Sequence, residues 1–308
     1  MTHQPVLLKE TLELLAVRPG GRYIDGTVGL GGHTEALLEQ STPDGRVLGI
    51  DRDPEALRMA GARLHEHGHR LVLVHGNYAD VVDVAEKANF TGVDGILVDA
   101  GVSSMQLDDA DRGFSFMRDG PLDMRMNTTQ RVTAADLVNG LSEQALAEII
   151  FRLGEEPASR RIAASIVRER TAERITTTGR LAAIVVKAKG GRIGKIHPAT
   201  QTFQALRMAV NDEIESLRKG LDGALLLLRP GGRLAVITFH SLEDREVKQC
   251  FKEHVAREES LPQGGSRKVG RAPYIVWVNK KAISADSTEI RKNPRARSAK
   301  LRVVERTN

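Results

Sequence analysis

Cysteine is almost missing from this chain: Cys250 is the only one in 308 residues. No internal disulfide can form, which fits a reducing compartment. Aromatic residues are scarce too, with one Trp, three Tyr and seven Phe, so two of them in one short segment carry information. No run approaches the ~18 consecutive apolar residues that a helical bilayer span needs, which excludes an integral helical membrane protein. Residues Met1–Leu15 lack a basic leader, a sustained apolar run and a small-residue cleavage site, and the expected location is cytoplasmic. His65, His67 and His69 alternate where a helix gives way to a strand, with Glu66 the sole carboxylate among them and no Cys. No metal is expected.

What the chain does contain is an ordinary globular balance, 41% apolar and 28% charged residues, in a length suited to about two domains. The net charge of +5 is unevenly spread. Residues 150–199 carry 11 Lys/Arg against 4 Asp/Glu, and residues 261–308 carry 12 against 3, which leaves the remainder acidic. Two basic segments on an acidic body suit a polyanion, with nucleic acid as the leading partner. Solvated helix faces and a loose tail are the plainer alternative.

Short Val/Ile/Leu runs alternate with Ala/Leu/Glu/Arg segments over the first hundred residues, the pattern of βαβ units on a parallel sheet. It predicts strands at Arg22–Asp25, Arg46–Asp51, Leu71–His75 and Gly95–Asp99, and a helix from Pro54 toward His67 capped by Asp53. After Asp99 the rhythm breaks. Helices are expected from Ser142 to Gly154 and around Arg160–Arg170 and Arg180–Lys189, then a long one from Thr200 to Leu228. A Pro230–Gly232 turn, a strand Arg233–Phe239 and late strands Tyr274–Val278 and Lys300–Val304 follow. The expected organisation is an α/β core in two parts, residues 1–106 and 200–308, around a helical insertion, residues 107–199, that carries the first basic segment.

Asp25-Gly-Thr-Val-Gly29-Leu-Gly31-Gly32-His33 lies between the first strand and the first following helix. Glycines at such a turn let the backbone approach a ligand, and the helix start offers free N–H groups. The third glycine of a dinucleotide fingerprint would fall at Thr34, so the loop alone is weak. Asp51, ending the second strand, is placed to accept hydrogen bonds from ribose hydroxyls. Nicotinamide dinucleotides and S-adenosylmethionine both fit this arrangement; the missing glycine favours the sulfonium donor, whose charge would welcome Asp25. Asp99 ends the fourth strand and should face the same crevice, where an acceptor for an aryl amine N–H would help localise the lone pair for methylation. Tyr78 is placed either to border an adenine or to join the core. Cys250 is expected to follow an amphipathic helix and to be buried and inert.

The segments His3–Glu10, Asp25–His33, Asp51–Asp53, Gly101–Asp108 and Arg112–Met126 resemble the bacterial ribosomal RNA small subunit methyltransferase H family. So do Gly154–Glu156, His197–Thr200, Thr202–Ala205, Phe239–Arg245 and Arg297–Arg302. The resemblance runs from residue 3 to 302, and the Arg112–Met126 block is its most specific part. It implies a class I, Rossmann-like S-adenosylmethionine-dependent methyltransferase sheet with an inserted helical domain, and N4-methylation of a cytidine in the decoding region of 16S rRNA. The implied cofactor contacts are Gly31, Gly32, His33, Asp51, Tyr78, Asp99 and Gln106, with Asp99 also catalytic. Ala100 departs from the leucine usual there, and Gln201 from the common arginine. Arg112, Phe114, Phe116, Asp123 and Arg125 open the insertion, where two aromatics together are candidates to stack on an extruded cytosine or to pack in the core. His240 is a further candidate for substrate contact. The 30S subunit or free 16S rRNA is the expected partner, with no membrane involved; homodimerisation stays open. The competing readings are an NAD-dependent oxidoreductase and a non-catalytic RNA-binding assembly factor.

Overall fold

A computed structural model describes residues 5–191, 196–260 and 266–308. His3 and Gln4 of the first matching segment, and Arg192 and Lys195 of the first basic segment, lie outside the described residues. The chain divides into two compact units, residues 1–101 with 214–308, and residues 102–213.

The first unit begins with α1 (Leu8–Leu15), β1 (Arg22–Asp25), α2 (Gly32–Gln40), β2 (Arg46–Asp51), α3 (Pro54–Arg63), β3 (Leu71–His75), α4 (Val81–Lys87) and β4 (Val93–Asp99). All four predicted strands are present. They read as apolar runs because the central ones are covered on both faces. At α3 the Asp53 carboxylate accepts the Glu55 N–H and Pro54 takes the first turn. The helix stops at Arg63, short of His67, and residues His65–Arg70 form a 3₁₀ stretch containing Gly68 at φ 53°.

The second unit holds α5 (Ser104–Asp108), α6 (Ala134–Gly140), α7 (Glu143–Gly154), α8 (Ser159–Ala172), α9 (Thr178–Ala188) and α10 (Thr200–Asn211). Its core includes Leu146, Ile150, Ile162, Ile166, Leu181 and Leu206, all fully buried. A Cβ on Gly154 would stand 2.5 Å from the Gln201 carbonyl oxygen, so glycine is what lets α7 and α10 approach closely. That packing corrects two expectations. The single helix from Thr200 to Leu228 is broken at Asp212, which takes φ 49°, and the helical unit extends to residue 213 instead of ending at 199. Asn211 fixes the break: its side chain accepts the Met126 N–H and donates to the Met124 carbonyl, each at 2.7 Å.

The first unit resumes with α11 (Glu213–Leu227), β5 (Leu228–Thr238), α12 (Ser241–His254), β6 (Arg257–Ser260), β7 (Ser266–Val269), β8 (Ile275–Trp277), α13 (Ser287–Lys292) and β9 (Lys300–Arg306). The Pro230–Gly232 turn lies within β5, where pairing with β4 slips between Val93 and Gly95. Cys250 sits inside α12, not after it. The main sheet has the order β3-β2-β1-β4-β5-β9-β8. Pairing is parallel from β3 to β5, and β9 runs antiparallel between β5 and β8. This mixed seven-stranded sheet is of the Rossmann-like α/β kind that the resemblance implies. Leu221, Val247 and Phe251 pack in one of its cores, and Leu15, Leu37 and Ala299 in another; β6 and β7 form a separate two-stranded ladder.

Candidate functional site

Chain order reverses between β1 and β4, which are neighbours in the sheet. Ligands of open α/β sheets bind beyond the carboxyl ends of the strands at such a switch point. Asp25, Asp51 and Asp99 are the last residues of β1, β2 and β4, so three carboxylates mark this edge of the first unit.

They do different work. Asp25 is fully buried and accepts the Thr34 hydroxyl at 2.7 Å and the Thr27 N–H at 3.0 Å. Burial, reinforced by the charge of Asp51, pushes its carboxyl up to about 6 against those two hydrogen bonds. The expectation that Asp25 meets a cofactor's positive charge is corrected: its oxygens tie the glycine loop to the start of α2. Thr34, where a dinucleotide fingerprint would have glycine, supplies the hydroxyl for that tie.

The loop itself is held by short backbone bonds, with Gly29 at φ 52° and Gly31 at φ 82°. A Cβ on Gly31 would lie 2.9 Å from Leu64 and one on Gly32 would lie 2.4 Å from Pro5. Asp51 accepts the Gly29 N–H at 2.7 Å through one oxygen and the Asp53 N–H at 2.8 Å through the other. Each oxygen keeps a lone pair for a further donor. Burial raises its pKa, and the two backbone bonds oppose the shift.

Asp99 contrasts with both. Its Oδ1 is buried without a hydrogen-bond partner, while the side chain as a whole keeps 23% of its surface exposed. Desolvation, followed by the charges of Asp25 and Glu243, holds its pKa well above the ordinary carboxylate range. Oδ2 lies 3.8 Å from His33 Nδ1, and the opposite ring nitrogen of His33 is 3.1 Å from the Val6 carbonyl. A buried carboxyl oxygen without a donor is costly unless a ligand supplies one.

Gly31, Gly32, His33, Asp51, Tyr78, Asp99 and His240 therefore all lie at the strand ends of one sheet or in the loops and helix starts that follow them. Tyr78 is half-buried, its ring so close over α11 that a Cβ on Gly220 would come 2.3 Å from it; it packs with the core, and any bordering of a ligand uses its remaining edge. His240 is the N-cap of α12. Its Nδ1 lies 3.4 Å from the Glu243 N–H, and its Nε2 lies 2.9 Å from Glu243 Oε1. Glu243 in turn accepts the Phe239 N–H at 2.8 Å.

The remaining expected residues belong to the second unit. Gln106 is buried and closes a capping box with Ser103. Phe114 is 7% exposed within the helical core, so of its two expected roles, stacking on a base or packing in the core, the structure favours the second. Phe116 is half-buried, 4.4 Å from the His197 ring and 4.9 Å from Phe203 between centroids. Arg125 forms a forked pair with Asp123 at 2.8 and 2.6 Å, and Arg112 donates to the carbonyls of Arg125 and Met126 at 2.9 Å each. The Arg112–Met126 block is thus stitched to itself.

Sequence reasoning missed two features of the sheet edge. Glu243 faces Asp99 electrostatically, signalled in the sequence only by its capping-box distance from His240. Asp244 forms a buried pair with Arg302 at 2.6 and 3.2 Å, which joins two of the matching segments and has no local signal.

The chain matches the model of the MraW methylase family over residues 1–307. It is 52% identical over 305 residues to ribosomal RNA small subunit methyltransferase H of Symbiobacterium thermophilum, covering 98% of this chain and 96% of that protein. The like-named protein of Geobacter sulfurreducens is 51% identical over 308 residues, covering 99% of each. Among solved structures, an S-adenosylmethionine-dependent O-methyltransferase from Thermotoga maritima aligns at 12% identity and a TM-score of 0.42, over 99% of this chain and 68% of that one. TrmN from Thermus thermophilus aligns at 13% identity and a TM-score of 0.45, over 97% and 48%.

Proposed function

The chain belongs to the MraW methylase family, and from that membership we propose that it transfers the methyl group of S-adenosylmethionine to the N4 amine of a cytidine in the decoding region of 16S rRNA. The observation that carries the reading is the bare, buried Asp99 Oδ1 beside the glycine loop, an acceptor in want of a cationic or N–H donor. Asp51 also fits the cofactor, since its two backbone bonds fix the carboxylate and leave a lone pair on each oxygen for ribose hydroxyls. Gly31 and Gly32 fit it as well, because glycine leaves the backbone at the start of α2 without side chains.

S-adenosylmethionine, when bound, supplies a methyl group activated by a sulfonium. Gly31, Gly32 and His33 would hold it at the start of α2, whose cap offers no side-chain acceptor for the first N–H groups. Asp51 would take the ribose and Tyr78 would border the base, while Gln106 is a further contact. Asp99 accepts the amine N–H and localises its lone pair, so that proximity and alignment account for most of the rate. On the acceptor side, Phe116, Arg112, Asp123, Arg125 and His240 are assigned to the nucleotide, with Phe114 supporting the block from the core. The two basic segments bind phosphates of the rRNA in the 30S subunit, which calls for a cytoplasmic protein.

The test is transfer of radiolabelled methyl to 30S particles lacking the modification, followed by nucleoside analysis. Label should appear as N4-methylcytidine. Asp99→Asn should lower the rate by about 10²-fold or more while RNA binding persists. Label on another nucleoside, or full activity in the variant, overturns the reading.

A further inference from the structure

Away from the carboxyl edge, α11 and α12 bring together three side chains that methyl transfer leaves unused. One carboxylate oxygen of Asp222, the sulfur of Cys250 and a ring nitrogen of His254 all lie within 4.8 Å of one another. Cys250 and His254 are four residues apart on α12 and so share one face of the helix.

His254 is 1% exposed, and its Nδ1 lies 3.0 Å from the Pro273 carbonyl. A carbonyl only accepts, so Nδ1 donates to it and the ring is held with Nε2 turned toward Asp222. Nε2 lies 3.4 Å from Asp222 Oδ1. Cys250 Sγ lies 3.8 Å from the same oxygen. A carboxylate oxygen, a ring nitrogen and a sulfur thus converge on one point, a donor set of the kind that holds a divalent cation.

We infer that Asp222, Cys250 and His254 form a binding site for a zinc-class divalent ion, with water in the fourth position. Ordinary zinc bond lengths give a tetrahedral N···O edge of about 3.4 Å and an S···O edge of about 3.6 Å, against 3.4 and 3.8 Å here. A thiolate with an imidazole selects zinc or cobalt over magnesium or calcium. The Pro273 carbonyl plays the supporting part usual behind a metal-bound histidine, fixing tautomer and ring orientation.

Arg271 is the competitor. It donates to Asp222 Oδ1 at 3.0 Å and pairs with Oδ2 at 2.9 Å. Its side chain is 55% exposed, and Glu253 lies 4.0 Å away as an alternative partner. An ion can therefore take Oδ1 while Arg271 keeps Oδ2 or turns to Glu253. Without an ion, burial and the charge of Asp222 push the Cys250 thiol up to about 12.

The experiment titrates the chelator-stripped full chain with Co²⁺ and follows the thiolate-to-cobalt charge-transfer band in the near ultraviolet. The expected result is one ion per chain, displaced by Zn²⁺. Cys250→Ser should abolish the band and weaken Zn²⁺ binding at least tenfold, with an unchanged circular dichroism spectrum. Arg271→Gln should bind no more weakly than the parent. Absence of a band in the parent chain overturns the site, and so does a band that survives Cys250→Ser. Neither outcome bears on methyl transfer.

Discussion

Asp25 and Asp99 end adjacent parallel strands, yet one is satisfied and the other is not, and each difference is measurable. For Asp25 the folded value of about 6 stands above an unfolded value of about 3.9. The folded chain therefore holds a proton that the unfolded chain releases, and stability falls as pH rises through that window. The cost is complete above the folded value and amounts to about 3 kcal/mol. Urea melts of Asp25→Asn should show a shallower loss of stability between about pH 4 and pH 6 than the parent; an identical slope would falsify the assignment. For Asp99 the raised pKa reflects burial beside Asp25 and Glu243, so the free protein holds it protonated over a range where a solvated carboxylate is ionised. A cationic ligand reverses that preference. Binding of S-adenosylmethionine should release a proton and strengthen as pH rises. Calorimetry in two buffers of different ionisation enthalpy reads the proton directly, and Asp99→Asn should remove it.

Among the elements, α12 is held more firmly than its sequence suggests. Its N-cap is His240, its Glu243 takes the Phe239 N–H, and its Asp244 is paired to Arg302 on β9 with both side chains about nine-tenths buried. Lys300 adds a longer contact to Asp244 at 3.5 Å. Removing one partner strands a buried charge, so Arg302→Met should cost about 3–5 kcal/mol in urea melts. Replacing both, with Asp244→Leu added, should return much of that loss. A single variant as stable as the parent would show that the pair contributes little. In the helical unit, α7, α8 and α9 could be read from apolar spacing, and α7 also from its start at Ser142. The end of α10 could not, because the left-handed turn at Asp212 is favoured by Asn211 bonding to residues more than eighty positions earlier.

Over the whole molecule the charge pattern makes the remaining prediction. Two basic segments on an otherwise acidic body should give RNA affinity that falls linearly in log–log terms with salt, at a slope near −0.7 to −0.9 per phosphate neutralised. Filter binding between about 50 and 200 mM salt should show a drop of several hundredfold or more if six or more phosphates are contacted. A flat response would remove the basic segments from the interface. The sheet, the glycine loop, the strand-ending aspartates and the charge asymmetry could all be read in the amino-acid order, because each rests on local period, local turn chemistry or simple composition. What each carboxylate faces was decided by packing alone. Asp25 turns inward to Thr34 and Asp99 is left without a donor, because residues distant in sequence set the dielectric and the hydrogen-bond partners around them. The same holds for the Asp244–Arg302 pair and for the Asp222, Cys250 and His254 cluster. Asp244 meets Arg302, and Asp222 meets the Cys250 and His254 face of α12, only once the helices have packed.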